Sequence, residues 1–152
     1  MFGKKLSEYI NFEGWLLVLI AVVWAVRLGL SLTGTSFSVT KWVSINIVLL
    51  VGLLYCSIGV QTSGFGSYKQ LLGLLFLQTL VAHILIVAAI VLGILTGVGN
   101  AYTAPEVFGG NDGKTWVHVF AHVLAAFILP VITWLIGSAI LFVTRRLSPS
   151  RA

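Results

Sequence analysis

Four stretches of the chain are almost free of charged residues: Gly14–Leu32, Trp42–Val60, Leu71–Leu95 and Trp116–Val143. About 20 helical residues cross the roughly 30 Å hydrocarbon layer of a bilayer, and each stretch has that length or close to it. The pattern predicts an all-α fold, an integral membrane bundle of four transmembrane helices in a single domain over residues 1–152. Ahead of the first span, Phe2, Leu6, Tyr9 and Ile10 recur at helical spacing with polar residues between them. That spacing predicts a short amphipathic helix lying on the membrane surface, with a frayed terminus as the alternative. The first span is too long for a secretory signal and lacks a small-residue cleavage site, so it is expected to be retained.

The connections differ in length. Thr33–Lys41 and Gln61–Gln70 are short and rich in Gly, Ser and Thr, as between antiparallel neighbours in a bundle. The third, residues 96–115, is long and carries Glu106 and Asp112, two of the four acids in the chain. Loops of that length are usually functional or mobile. Within it, Asn111-Asp112-Gly113 predicts a turn, with Asp112 or Thr115 capping the last helix.

Composition supports the membrane assignment. The chain is 59% hydrophobic and 9% charged, with mean hydropathy +1.07, where a soluble domain has about 25% charged residues. A soluble enzyme and a disordered chain are thereby excluded. The net charge of +5 does not indicate nucleic acid, because no basic stripe is interleaved with aromatics. It sets orientation instead. With the N-terminus inside, Lys4, Lys5, Lys69, Arg145, Arg146 and Arg151 fall on the cytoplasmic side, against Lys41 and Lys114 outside. Six against two places both termini in the cytoplasm and the long loop outside. Trp15, Trp42 and Trp116 stand near span ends as interfacial anchors. The lone Cys56 permits neither an internal disulfide nor a CxxC site.

Two ridges of small residues are candidates for helix packing: Ala21, Ala25 and Gly29 in the first span, and Ala89, Gly93 and Gly97 in the third. Close backbone approach drives association in lipid, so the ridges suit contact between these helices or between copies of the chain. Pro130 frees the carbonyl of Ala126 and predicts a kink.

Polar residues inside the spans mark candidate chemistry. Arg27 lies about 8 Å from the outer end of the first span, within snorkelling reach of the headgroups, with Trp24 near enough to stack on it. His118 and His122 share one helical face at the spacing that grips a metal ion, with Asp112 or Glu106 as oxygen ligands. The alternative is hydrogen bonding to backbone, water or lipid phosphate. His83 lies at the middle of the third span, and a haem held by His83 and His122 is disfavoured by a difference in depth of about 9 Å. Asn46 lies in the outer part of the second span. Arg27, Asn46, His118 and His122 thus share the outer third and predict a polar pocket for a lipid, quinone or small anion. No acid falls inside the four stretches, which argues against carboxylate-coupled transport. The GGNDGKT segment is not a phosphate loop, because Phe108 stands where glycine is required. No serine, cysteine or carboxylate is paired with a base, so a non-enzymatic protein is favoured.

Two segments, SGFGSYKQLL at Ser63–Leu72 and DGKTWVHVFAH at Asp112–His122, resemble those of small bacterial inner-membrane proteins with four helices, for which no activity is established. The resemblance extends over most of the length. It implies a multi-pass protein of the bacterial inner membrane and carries over no mechanism. Glutathione-transferase-like four-helix membrane enzymes are similar in size, but their Arg-and-Asn signature is missing here. The reading is a homo-oligomer or an accessory subunit of a membrane complex with an outer-leaflet pocket. The alternatives are a metal- or haem-binding redox protein using His118 and His122, and a small channel or transporter.

Overall fold

The computed structural model describes residues 2–106 and 110–147. Four long helices, α1 (Leu6–Leu32), α3 (Ile45–Thr62), α4 (Tyr68–Thr96) and α5 (Trp116–Leu147), are joined by two short connections, the first holding the four-residue α2 (Phe37–Thr40), and by one long connection between α4 and α5. All four spans have the length and apolarity to cross a membrane. Helices α3 and α4 form the middle of the bundle, each packed on the other and on both α1 and α5, while the backbones of α1 and α5 stay apart on either side.

Helix starts follow from local chemistry. Glu8 accepts the Lys5 backbone N–H at 2.7 Å and pairs with Lys4 at 3.0 Å, closing the first turn of α1. Gln70 does the same for α4, accepting Ser67 N–H at 2.8 Å. Gly97 ends α4 in the left-handed conformation (φ 72°), which suits a residue without Cβ. Thr115 Oγ1 accepts His118 N–H and caps α5, which continues through Pro130 to Leu147.

The surface amphipathic helix is not present as a separate element. Residues Leu6–Asn11 form the first turns of α1, and Tyr9 is fully buried in the bundle. Nothing in Leu6–Glu13 breaks a helix, so the first span simply begins earlier than its apolar run.

Both faces of the helices are apolar. Leu16, Ile20, Leu71, Leu74, Leu75 and Leu141 are fully buried, while Val22, Leu54, Ile84, Phe127 and Leu135 are exposed. An exterior as greasy as the core is the signature of helices solvated by lipid. The chain is a multi-pass membrane protein.

The small-residue ridges do not pack on each other. Ala21 is half-buried and Ala25 and Gly29 are exposed, and a Cβ added to Gly29 would meet nothing within 4 Å. Helix α1 turns its Glu13, Leu16, Ile20 and Leu28 stripe inward instead. The α4 ridge receives the long connection. A Cβ on Gly93 would lie 3.2 Å from Thr103 Cγ2 and 3.3 Å from both Asn100 Nδ2 and the Val98 carbonyl, and Asn100 Nδ2 donates to the Ala89 carbonyl at 2.8 Å.

Candidate functional site

The long connection folds down into one end of the bundle, here called the loop end, opposite the end that holds both termini. Asn100, Ala101, Tyr102 and Thr103 are buried. Backbone groups there cannot rely on water, and side chains satisfy them. Ser31 Oγ accepts Ala101 N–H at 2.7 Å, Asn100 Oδ1 accepts Tyr102 N–H at 2.9 Å, and Thr103 Oγ1 accepts Asn100 N–H at 2.9 Å. Gly113 then packs so tightly on Thr103 that a Cβ would sit 2.7 Å from the Thr103 carbonyl oxygen.

Where α1 and α5 stand apart, this plug roofs a cavity of about 120 Å³. Arg27 from α1, Asn46 from α3, His118 and His122 from α5, and Tyr102 from the plug all line it. Asn46 is exposed and stands at the rim. The Arg27 guanidinium stacks on Tyr102, 5.2 Å from the ring centroid, and not on Trp24. Tyr102 reaches past it to donate to the Trp24 carbonyl at 3.4 Å. Burial pushes the Tyr102 phenol up to about 12, with Arg27 pulling the other way. The Arg27 Nε is buried without a hydrogen-bond partner, and so are His122 Nδ1 and Trp24 Nε1. Ion pairs among the described residues join Lys4 to Glu8 and Lys114 to Asp112, so Arg27 has no acidic counterpart there.

His118 Nδ1 lies 2.8 Å from the Gly113 carbonyl, and His83 Nδ1 2.9 Å from the Thr79 carbonyl. A carbonyl only accepts, so both rings carry a proton on Nδ1, and in the neutral ring Nε2 presents a lone pair. His122 Nε2 lies 3.2 Å from His118 Nε2. The His83 and His122 ring centroids are 5.3 Å apart and those of His118 and His122 4.9 Å. The depth difference read from the sequence is thus corrected: because the plug occupies the loop end, α5 begins below the tip of α4, and His83 and His122 come level. Rings in mutual contact leave no room for a porphyrin between them.

The oxygen ligands expected from the sequence do not join this group. Asp112 accepts the Lys114 backbone N–H at 2.9 Å and pairs with the Lys114 ammonium at 3.4 Å, which hold its carboxylate below the usual range, the backbone bond first. Asp112 and Glu106 line a separate, wider hollow of about 590 Å³ on the outside of the plug. Among the described residues, no three His, Cys, Asp or Glu side chains are gathered for a metal ion.

Sequence reasoning missed Glu13. It stands one residue before the first apolar run, yet is fully buried in α1 and takes a hydrogen bond from the Cys56 thiol at 3.6 Å. It lies on the buried stripe of α1 with Tyr9, Leu16 and Ile20. Ser57, Gln78 and Thr79 are also buried. Comparison with protein-family models, curated proteins and solved structures finds no match for this chain. The fold and site therefore define its class alone, a helical integral membrane protein with a buried polar cluster at one end.

Proposed function

We propose that the protein is a non-enzymatic membrane binding protein, acting as a homo-oligomer or an accessory subunit in a bacterial inner membrane, and that its loop-end cavity holds the phosphate of an anionic lipid. The observation that carries this reading is Arg27, a cation in a membrane span with a buried Nε, no acidic partner and a cavity in front of it. A charge so placed is functional by default and takes its counter-ion from what it binds. The His122 Nδ1 orphan and the Asn46 amide at the rim supply further polar contacts. A cavity of about 120 Å³ is below the roughly 300 Å³ at which small-molecule pockets begin. It suits a headgroup phosphate whose acyl chains stay outside, and does not suit a whole quinone.

The test is native mass spectrometry of protein released from nanodiscs of phosphatidylglycerol, of phosphatidylcholine, or of phosphatidylcholine with free phosphate. Retention of phosphatidylglycerol, lost in Arg27→Gln, supports the reading. Retention of free phosphate alone would make the ligand a soluble anion. Equal retention of both lipids by wild type and variant rejects it.

A metal-binding reading is favoured by one distance. Two imidazole nitrogens 3.2 Å apart match the separation of neighbouring ligands on one tetrahedral ion at about 2.0–2.1 Å each. Metal analysis of the purified protein and of His118→Ala separates this reading from the first.

A further inference from the structure

The bundle carries buried polar groups from one end to the other, contributed by all four long helices. Glu13, on α1, is fully buried about 10 Å above the helix start. Its Oε1 has no partner, and its Oε2 receives only the Cys56 thiol of α3. Tyr9, one turn earlier on α1, is the other titratable group on its stripe. Ser57, next to Cys56, is fully buried with an unpartnered hydroxyl, pressed against Gly137 of α5. Gln78 of α4, 2% exposed with an unpartnered amide oxygen, fills the notch left by Gly52 of α3. Thr79 follows, its carbonyl taking the His83 Nδ1 proton. His83 faces His122, His122 contacts His118, and the cavity with Arg27 and Tyr102 begins there.

We propose that this file is a proton path through the bundle, with Glu13 as the acid at the termini end and His83, His122 and His118 as the relay at the loop end. Four polar atoms on these groups, Glu13 Oε1, Ser57 Oγ, Gln78 Oε1 and His122 Nδ1, are buried without a partner, and Cys56, which meets Glu13, stands one turn from Gly52, which meets Gln78, on α3. Each orphan is destabilising in an apolar interior, a cost that packing alone gives no reason to bear. Water entering between them removes it and joins groups that lie too far apart for direct bonds. The chemistry suits protons and not larger ions. The side chains between the acid and the Arg27 cavity are hydroxyl and amide groups, which can hold a chain of water by hydrogen bonds, and imidazoles, which can also carry a proton. His122 is placed to do so, with its Nδ1 open as an acceptor and its Nε2 toward His118 Nε2. Glu13 releases its proton into the file, is left as carboxylate, and regains a proton from the termini side, so no net chemistry occurs at any residue.

The path is tested with purified protein in liposomes that hold a trapped pH-sensitive dye, driven by a potassium gradient and valinomycin. Proton entry faster than in protein-free liposomes is expected. It falls to the protein-free rate in Glu13→Gln and in His122→Asn, and is kept in Glu8→Gln, which alters a surface acid only. Because a buried substitution can impair folding, wild-type protein is also treated with dicyclohexylcarbodiimide. This apolar reagent adds to a protonated carboxyl and rearranges to a stable acylurea. Modification at Glu13 with loss of flux supports the path. Wild-type flux at the protein-free rate, or flux intact after Glu13 is modified, overturns it.

Discussion

The Nε2 atoms of His118 and His122 face each other at 3.2 Å, and the bond between them fixes the tautomers of both rings. His118 gives its Nδ1 proton to the Gly113 carbonyl, so its Nε2 accepts. His122 must then donate from Nε2, which leaves its Nδ1 as the orphan lone pair. His83 follows His118, with its proton on Nδ1 toward the Thr79 carbonyl. Long-range nitrogen–proton NMR of the neutral protein should therefore show Nδ1–H for His83 and His118 and Nε2–H for His122. The opposite tautomer at His122 would break the deduction.

The plug at the loop end rests on close backbone approach. Gly113→Ala places a methyl 2.7 Å from the Thr103 carbonyl oxygen, where backbone and not a flexible side chain must give way. A loss of about 1–3 kcal/mol is expected, as for overpacking in general. Gly29→Ala adds a methyl to open space on a helix and should be neutral, or stabilising by about 0.5–1 kcal/mol. Melting temperatures in detergent compare the two. Equal tolerance would mean that the Gly113–Thr103 contact is not retained in the membrane.

Asn100 ties the plug to α4 and to itself, through the Ala89 carbonyl and the Tyr102 N–H. Asn100→Ala leaves the Tyr102 N–H buried and unpaired, at about 1–3 kcal/mol, and unties the plug from the Ala89 carbonyl, which keeps its helical partner. Faster amide exchange confined to the residues around 98–106, with the four helices unchanged, is the expected result. Exchange that rises equally in α1 would assign Asn100 to the bundle as a whole.

The basic residues predict an orientation. With Cys56→Ala as background, single cysteines at Asn111 and Ser150 should react oppositely with an impermeant thiol reagent, Asn111 from outside and Ser150 only after lysis. Labelling of Ser150 in intact cells would invert the assignment.

The number of helices and the long connection were legible in the apolar runs because each span consists of little else. Direction was not. Lipid-facing positions are as apolar as the core, so α1 gave no stripe to show that Ala25 and Gly29 face out while Glu13 faces in. The level of His83 was misjudged for a different reason. It depends on where α5 starts relative to α4, which the buried plug decides, and a Gly- and Thr-rich segment such as residues 96–104 shows no periodicity that marks it as buried.

Tyr102 provides the pH-dependent test of the plug. Burial raises its phenol to about 12, from an ordinary value of about 10, and Arg27 beside it works against that rise. The folded protein therefore keeps a proton that the unfolded chain has already released. Its contribution to stability is complete below about pH 10 and is lost as pH rises from there through about 12. The difference in tyrosinate absorbance between wild type and Tyr102→Phe isolates this ionisation. Arg27→Gln removes the cation that favours the phenolate, so the midpoint should move higher still. A Tyr102 that ionises near pH 10 would place its ring in water, with the plug outside the bundle and the Arg27 cavity unroofed.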